Sequence, residues 1–139
     1  MTKLLVMAIL AAAGCAKSDK PAAPPVAQQE VKLSFVSVDA AAAQLEKGTA
    51  QAVDANNPPT RQHEGVIPGA VLLSDFETFA LTELPSDKAK ELVFYCANTR
   101  CGASHEAAHK AIAAGYSNVK VMPDGIAGWI KAGNKVQSI

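Results

Sequence analysis

Two cysteines five residues apart, Cys96 and Cys101, stand in the stretch YCANTRCG at residues 95–102, and the chain has only three cysteines. So close a pair fits a structural disulfide, a metal site, or a nucleophile with a companion thiol. Residues 105–109 read His-Glu-Ala-Ala-His, which satisfies the H-E-x-x-H pattern of zinc-peptidase helices. Two histidines four apart share a helix face, and Glu106 could act as base. The surrounding pattern argues for something plainer. At about 100° per residue, Ser104, Ala107, Ala108, Ala111 and Ile112 form the apolar stripe, with His105 and His109 on its flank and Glu106 and Lys110 outside. That is a helix packed on a sheet with a solvated back. No histidine follows His109, and Asp124 is the only acid further on. We therefore assign no metal and no cofactor, and the cysteines become the chemistry to explain.

The elements that must hold them follow from periodicity. Residues 31–36, VKLSFV, alternate apolar and polar and predict a strand. Ser37 is placed to cap a helix through residues 39–47, and Gly48 to end it. Residues 50–54, AQAVD, predict a second strand, followed by a loop rich in Asn and Pro. Gly65, Pro68 and Gly69 predict a turn into an extended piece at 70–73, with His63 and Glu64 as candidates for the mouth of a site. Asp75 is expected to start a helix through Phe79, and residues 85–88 to turn. Residues 91–95, ELVFY, have the length and apolarity of a buried strand. A helix is expected over about 103–114 with Gly115 at its stop, then a strand over 118–122, a turn at 123–125 and a last helix over 126–133. Phe35, Phe94 and Tyr95 read as core, with the Tyr95 hydroxyl requiring a partner, and Trp129 reads as packing the last helix on the sheet. Strands alternating with helices predict an α/β domain with a mostly parallel sheet flanked by helices.

In such a sheet, ligands meet the loops at the carboxyl ends of the strands. Cys96 stands there, directly after the strand at 91–95, and the next helix points its N-terminus back at the same loop. Free backbone N–H groups and the helix dipole favour an anion at that spot. A thiolate is such an anion, so Cys96 is expected to titrate below the ~8.5 of a free cysteine. The small residues Ala97, Asn98 and Gly102 let the loop curl into a nest of N–H donors. Asp54, at the end of another strand, is a candidate to brace the loop through backbone N–H groups.

Four stretches together carry a resemblance to a known family: VDAN (53–56), HEGVIPGA (63–70), VFYCANTRCGASHEAAHKA (93–111) with GYSNV (115–119), and DGIAGWIKAG (124–133). In this order, and covering most of residues 35–135, they resemble the rhodanese-like sulfurtransferases. The resemblance implies a single rhodanese-like domain over 31–139. It also implies that Cys96 takes sulfur from a small sulfur-containing anion of the thiosulfate or polysulfide type. Cys96 would carry that sulfur as a persulfide, cradled by Ala97, Asn98, Thr99, Arg100, Cys101 and Gly102, and pass it to a thiol acceptor.

Two positions depart from the family pattern. Many active members close the six-residue loop with Arg, whereas here that position is Cys101 and Arg100 stands one earlier. The Asp-x-Arg often found after the second strand is here Asp54-Ala55-Asn56. Thiosulfate is doubly charged, so a lost guanidinium weakens its case as donor. Cys101 admits three readings: a thiol that resolves a persulfide or sulfenic acid on Cys96, a permanent disulfide partner, or a small apolar filler. A rhodanese-like module that binds a partner or senses redox state without turnover is therefore the alternative to a sulfurtransferase.

The remaining expectations concern location and partners. A short basic start at Lys3, an apolar run at 4–13 and the small residues before Cys15 resemble a bacterial lipoprotein leader. Residues 1–14 would be removed and Cys15 lipidated. Residues 16–30 carry three prolines and almost nothing large, which predicts a disordered tether. This places the domain in the cell envelope, lipid-anchored and facing the periplasm, as a monomer that meets the membrane through its anchor only. Thirteen basic residues balance thirteen acidic ones. No basic run is interleaved with aromatics, so no nucleic-acid partner is expected.

Overall fold

The computed structural model describes residues 31–139. The leader, Cys15 and the tether lie outside the described residues. Five parallel strands form one sheet in the order β1-β5-β4-β2-β3: β1 (Ser34–Phe35), β2 (Ala50–Asp54), β3 (Val71–Leu72), β4 (Glu91–Tyr95) and β5 (Val119–Val121). Four helices flank it: α1 (Val38–Glu46), α2 (Pro58–Glu64), α3 (Ala103–Ala113) and α4 (Gly125–Lys131). The expected α/β architecture is therefore present. Among the described residues, no helix is long and apolar enough to cross a membrane.

Local chemistry sets most of these boundaries. Ser37 caps α1 by accepting the Ala40 amide at 3.3 Å, and Gly48 leaves the helix at φ +69°. Gly115 ends α3 in the same way at φ +95°. β4 is central and buried on both faces, and its side chains sort by alternation. Leu92, Phe94 and Cys96 join Ala107, Ala108 and Ala111 of α3 in one core. Val93 and Tyr95 join Val38, Ala41, Ile126 and Trp129 of α1 and α4 in the other. Alanines supply much of both contact surfaces, so the helices lie close against the sheet.

Three expectations are corrected. The Asn/Pro-rich segment after β2 is the helix α2, not a loop. Asn57 caps it by accepting the Thr60 amide at 3.0 Å, and the prolines occupy its first positions, where no amide donor is needed. Residues 75–79 form one capped turn rather than a helix. The Asp75 carboxylate takes the Glu77 and Thr78 amides at 2.9 and 2.8 Å, and a 3-10 turn, Leu81–Glu83, follows. Phe35 is 59% exposed instead of core, because β1 is an edge strand whose Val36 turns inward. The Phe35 ring lies against His105, with centroids 5.7 Å apart.

Candidate active site

The main chain of the cysteine loop is fastened before its side chains are considered. The Cys96 carbonyl accepts the Ile126 amide at 2.8 Å, and the Ala97 carbonyl accepts the Ala127 amide at 3.0 Å. The start of α4 thus docks on the end of β4. Gly125 makes this approach feasible. It sits at φ +61°, and a Cβ there would lie 2.6 Å from the Cys96 carbonyl oxygen and 2.6 Å from the Ala97 carbonyl carbon. Further along, Asn98 closes a turn: its carbonyl accepts the Cys101 amide at 3.0 Å and its side-chain oxygen accepts the Arg100 amide at 3.0 Å.

This turn brings Cys101 back over Cys96, and the two are joined as a disulfide with their Cα atoms 6.3 Å apart. By strand alternation the Cys96 side chain faces α3. Its Sγ lies 3.3 Å from the Ser104 hydroxyl and 3.3 Å from the Cys101 carbonyl oxygen. Cys96 is 1% exposed, while Cys101 is half-buried. Gly102 precedes α3 and offers no side-chain cap, so the Ala103 and Ser104 amides remain available to a negative group, while the His105 amide is taken by the Gly102 carbonyl.

The expected nest of N–H donors is only part-filled. Two loop amides, those of Arg100 and Cys101, are occupied by Asn98, and Cys101 covers the sulfur. The reason is the turn itself, which exchanges amide donors for a position from which Cys101 can bond Cys96. A thiolate on Cys96 would find a hydroxyl donor in Ser104 and the uncapped helix turn, with one carbonyl opposing it.

The bracing expected of Asp54 is also corrected. Its carboxylate accepts the Asn56 amide at 2.7 Å and Arg61 Nε at 3.0 Å, and none of its hydrogen bonds reaches residues 96–102. Arg61 Nη2 donates further to the carbonyls of Asp54 and Leu73 at 3.0 and 2.8 Å. The guanidinium missing two residues after Asp54 is thus supplied seven residues on, by α2. It is buried, with its Nε and Nη2 engaged. Next to it, the Tyr95 hydroxyl accepts the Ile67 amide at 3.0 Å, which supplies the partner it required. Burial first, and then the Asp54 charge, push the Tyr95 phenol well above its usual range, so it stays neutral.

The other candidates do not converge on the sulfur. His63 is exposed and pairs with the neighbouring Glu64 at 2.9 Å. His105 packs on Phe35 and His109 lies in the open, and among the described residues no three metal-ligating side chains converge. Arg100 is exposed. A cleft of about 620 Å³ touches the loop at Asn98 and Thr99, but its other walls come from α1 and α4, on the face away from Cys96. Ser104 lies on the buried stripe where the helical period puts it, and what sequence reasoning missed is that its hydroxyl meets Cys96. Its signal was a hydroxyl among alanines in the first turn after the loop.

The family model for the rhodanese-like domain matches residues 37–132. A thiosulfate:glutathione sulfurtransferase of Saccharomyces cerevisiae is 37% identical over 78 residues, which are 55% of this chain and 52% of the relative. The chain therefore spans about half the length of that curated relative. Among solved structures, a Bacillus halodurans protein matches with a TM-score of 0.66 at 23% identity, over 76% of this chain and 77% of that one. The rhodanese-like domain of an Anabaena protein matches at 0.64 and 20%, over 78% and 81%. A 3-mercaptopyruvate sulfotransferase of Escherichia coli matches at 0.63 and 20%, over 78% and 51%. At these identities the likeness to solved structures is one of fold.

Proposed function

The chain belongs to the rhodanese-like domain family, and we propose that it transfers sulfane sulfur through a persulfide on Cys96. One observation carries the reading. Cys96 ends the central strand with its sulfur turned toward the uncapped first turn of α3, 3.3 Å from the Ser104 hydroxyl. That is where a parallel α/β sheet places its ligand. The kinship with a sulfurtransferase over 78 residues points to the same chemistry.

The cycle starts once a thiol reductant has opened the Cys96/Cys101 bond. The Cys96 thiolate attacks the outer sulfur of the donor. The donor's S–S bond breaks and its remainder leaves with the electron pair, as sulfite if the donor is thiosulfate. The persulfide anion on Cys96 then lies against the α3 amides and the Ser104 hydroxyl. An acceptor thiolate attacks the outer sulfur, and Cys96 departs as thiolate. Arg61 is buried and committed through Nε and Nη2 to Asp54 and Leu73, so it is not presented to a dianion at the cysteine loop. Donors of lower charge, such as organic persulfides, therefore suit the site better than thiosulfate.

The leader and Cys15 support a location in the cell envelope, with a lipid on Cys15 and the domain as a monomer on a tether. Fatty-acid labelling that disappears in Cys15→Ser, together with release of the protein into the soluble fraction, is the expected result. Unchanged fractionation would remove that placement.

For the chemistry, reduced protein is assayed with polysulfide and a thiol acceptor beside Cys96→Ser. The wild type is expected to draw sulfane sulfur from the donor catalytically, recovered as acceptor persulfide or as sulfide, and the variant to stay at background. Undiminished turnover in the variant defeats the proposal. A second reading, a redox-sensing or binding module without turnover, is favoured by the disulfide, which removes the free thiol from Cys96. It predicts no turnover by wild type even when fully reduced.

A further inference from the structure

We propose that Cys101 is a resolving thiol that discharges the Cys96 persulfide within the chain, so that the domain releases sulfide and is left as the Cys96/Cys101 disulfide. This rests on the persulfide reading above and changes its outcome, from handing sulfur to an acceptor to reducing it.

Three observations carry the inference. Cys101 is held at bonding distance by the Asn98 turn, with a Cα separation of 6.3 Å that falls within the range disulfides require. Cys96 is 1% exposed, and Cys101 is the thiol that already touches its sulfur. The position that closes the loop holds a thiol in place of a guanidinium, which would bind an anion but could not react with it. A thiol fixed in this way competes at an effective concentration that can reach about 10⁵ M, far above the millimolar range of a free acceptor.

The step balances without an outside oxidant. The Cys101 thiolate attacks Sγ of Cys96. The bond from Sγ to the outer sulfur breaks, and the outer sulfur leaves with the electron pair as hydrosulfide, taking up the proton. The two cysteine sulfurs are oxidised to the disulfide, and the sulfane sulfur is reduced to sulfide. A dithiol, or two equivalents of a monothiol, then reduces the disulfide and resets the site.

The test uses full-length, fully reduced protein without oxygen, with Cys15→Ser in every sample so that no third thiol takes part. The donor is an alkanethiosulfonate anion, RSO2S−, which gives up its terminal sulfur and leaves as a sulfinate and not as sulfide. Wild type is expected to release one sulfide for each sulfinate and to end as a disulfide by intact mass. Cys101→Ser and Cys101→Ala are expected to keep one added sulfur on Cys96 and to release sulfide at least about a hundredfold more slowly. A wild-type persulfide that persists with Cys101 free would overturn this inference and leave the sulfur-transfer reading standing. Failure of the Cys101 variants to take up sulfur, with their far-ultraviolet spectra unchanged, would overturn both.

Discussion

Two neighbouring strand ends, those of β2 and β4, sit side by side in register, with Asp54 opposite Tyr95. They use their polar groups in opposite ways. At the end of β2 the side chains are charged, buried and largely tied down: Asp54 holds Arg61 and the Asn56 amide, and Arg61 holds two carbonyls. At the end of β4 it is the main chain that is tied down, by the Ile126 and Ala127 amides, and the sulfur is left with a hydroxyl and a second sulfur. A formal charge thus marks the scaffold, and a neutral pair of atoms marks the chemistry. Burial penalises a charge whose bonding is incomplete, so the β2 end must be rigid. A thiol tolerates burial unpaired, so the β4 end can remain reactive.

This contrast can be broken from either side. The largest effect is expected from Arg61→Ala, which strands Asp54 in the core and costs about 3–5 kcal/mol of stability, read as a lower urea midpoint. The reduced protein that remains folded should still load sulfur on Cys96. Loss of loading in that fraction would show that the two ends are not separate. Next comes Gly125→Ala, which forces a Cβ into the Cys96 carbonyl at a left-handed φ. About 1–3 kcal/mol is expected, accompanied here by slower sulfur loading, because the strain falls on the cysteine loop.

Ser104→Ala sharpens the comparison on the chemical side. In a Cys101→Ser background it is expected to raise the Cys96 thiol pKa by about one pH unit, followed by thiolate absorbance, because the hydroxyl donates to the charged form. Stability should change far less than in Arg61→Ala. The smallest effect is expected at Glu83. Hydrogen bonds from the Ser74 amide and hydroxyl and the Ala80 amide hold its carboxylate below the usual range. A lowered folded pKa contributes stability above the ordinary carboxylate range and loses it as pH falls through the folded value. Glu83→Gln should therefore flatten the acid limb of the stability curve slightly, and an unchanged limb would remove that assignment.

What was legible in the chain was local. The Ser37 cap, the glycine stops at 48 and 115, and the apolar run of β4 each depend on residues a turn or less apart, and each stands as expected. α2 was missed because Asn and Pro were read by composition. Their order, a capping Asn followed by two prolines, is the signature of a helix start. Phe35 was misplaced because alternation predicts a strand but not whether anything covers its outer face. The absent Asp-x-Arg was read as a lost guanidinium, when α2 returns Arg61 to the same aspartate from seven residues away.

The sequence alone determined that a cysteine follows a buried strand and precedes a helix, because strand and helix periods and their end signals are short-range. Only the tertiary structure decided that its sulfur faces α3, lies beneath Cys101, and has Ser104 for a neighbour. The period of a strand sorts side chains into two sets, but which set meets which helix depends on how the whole core packs.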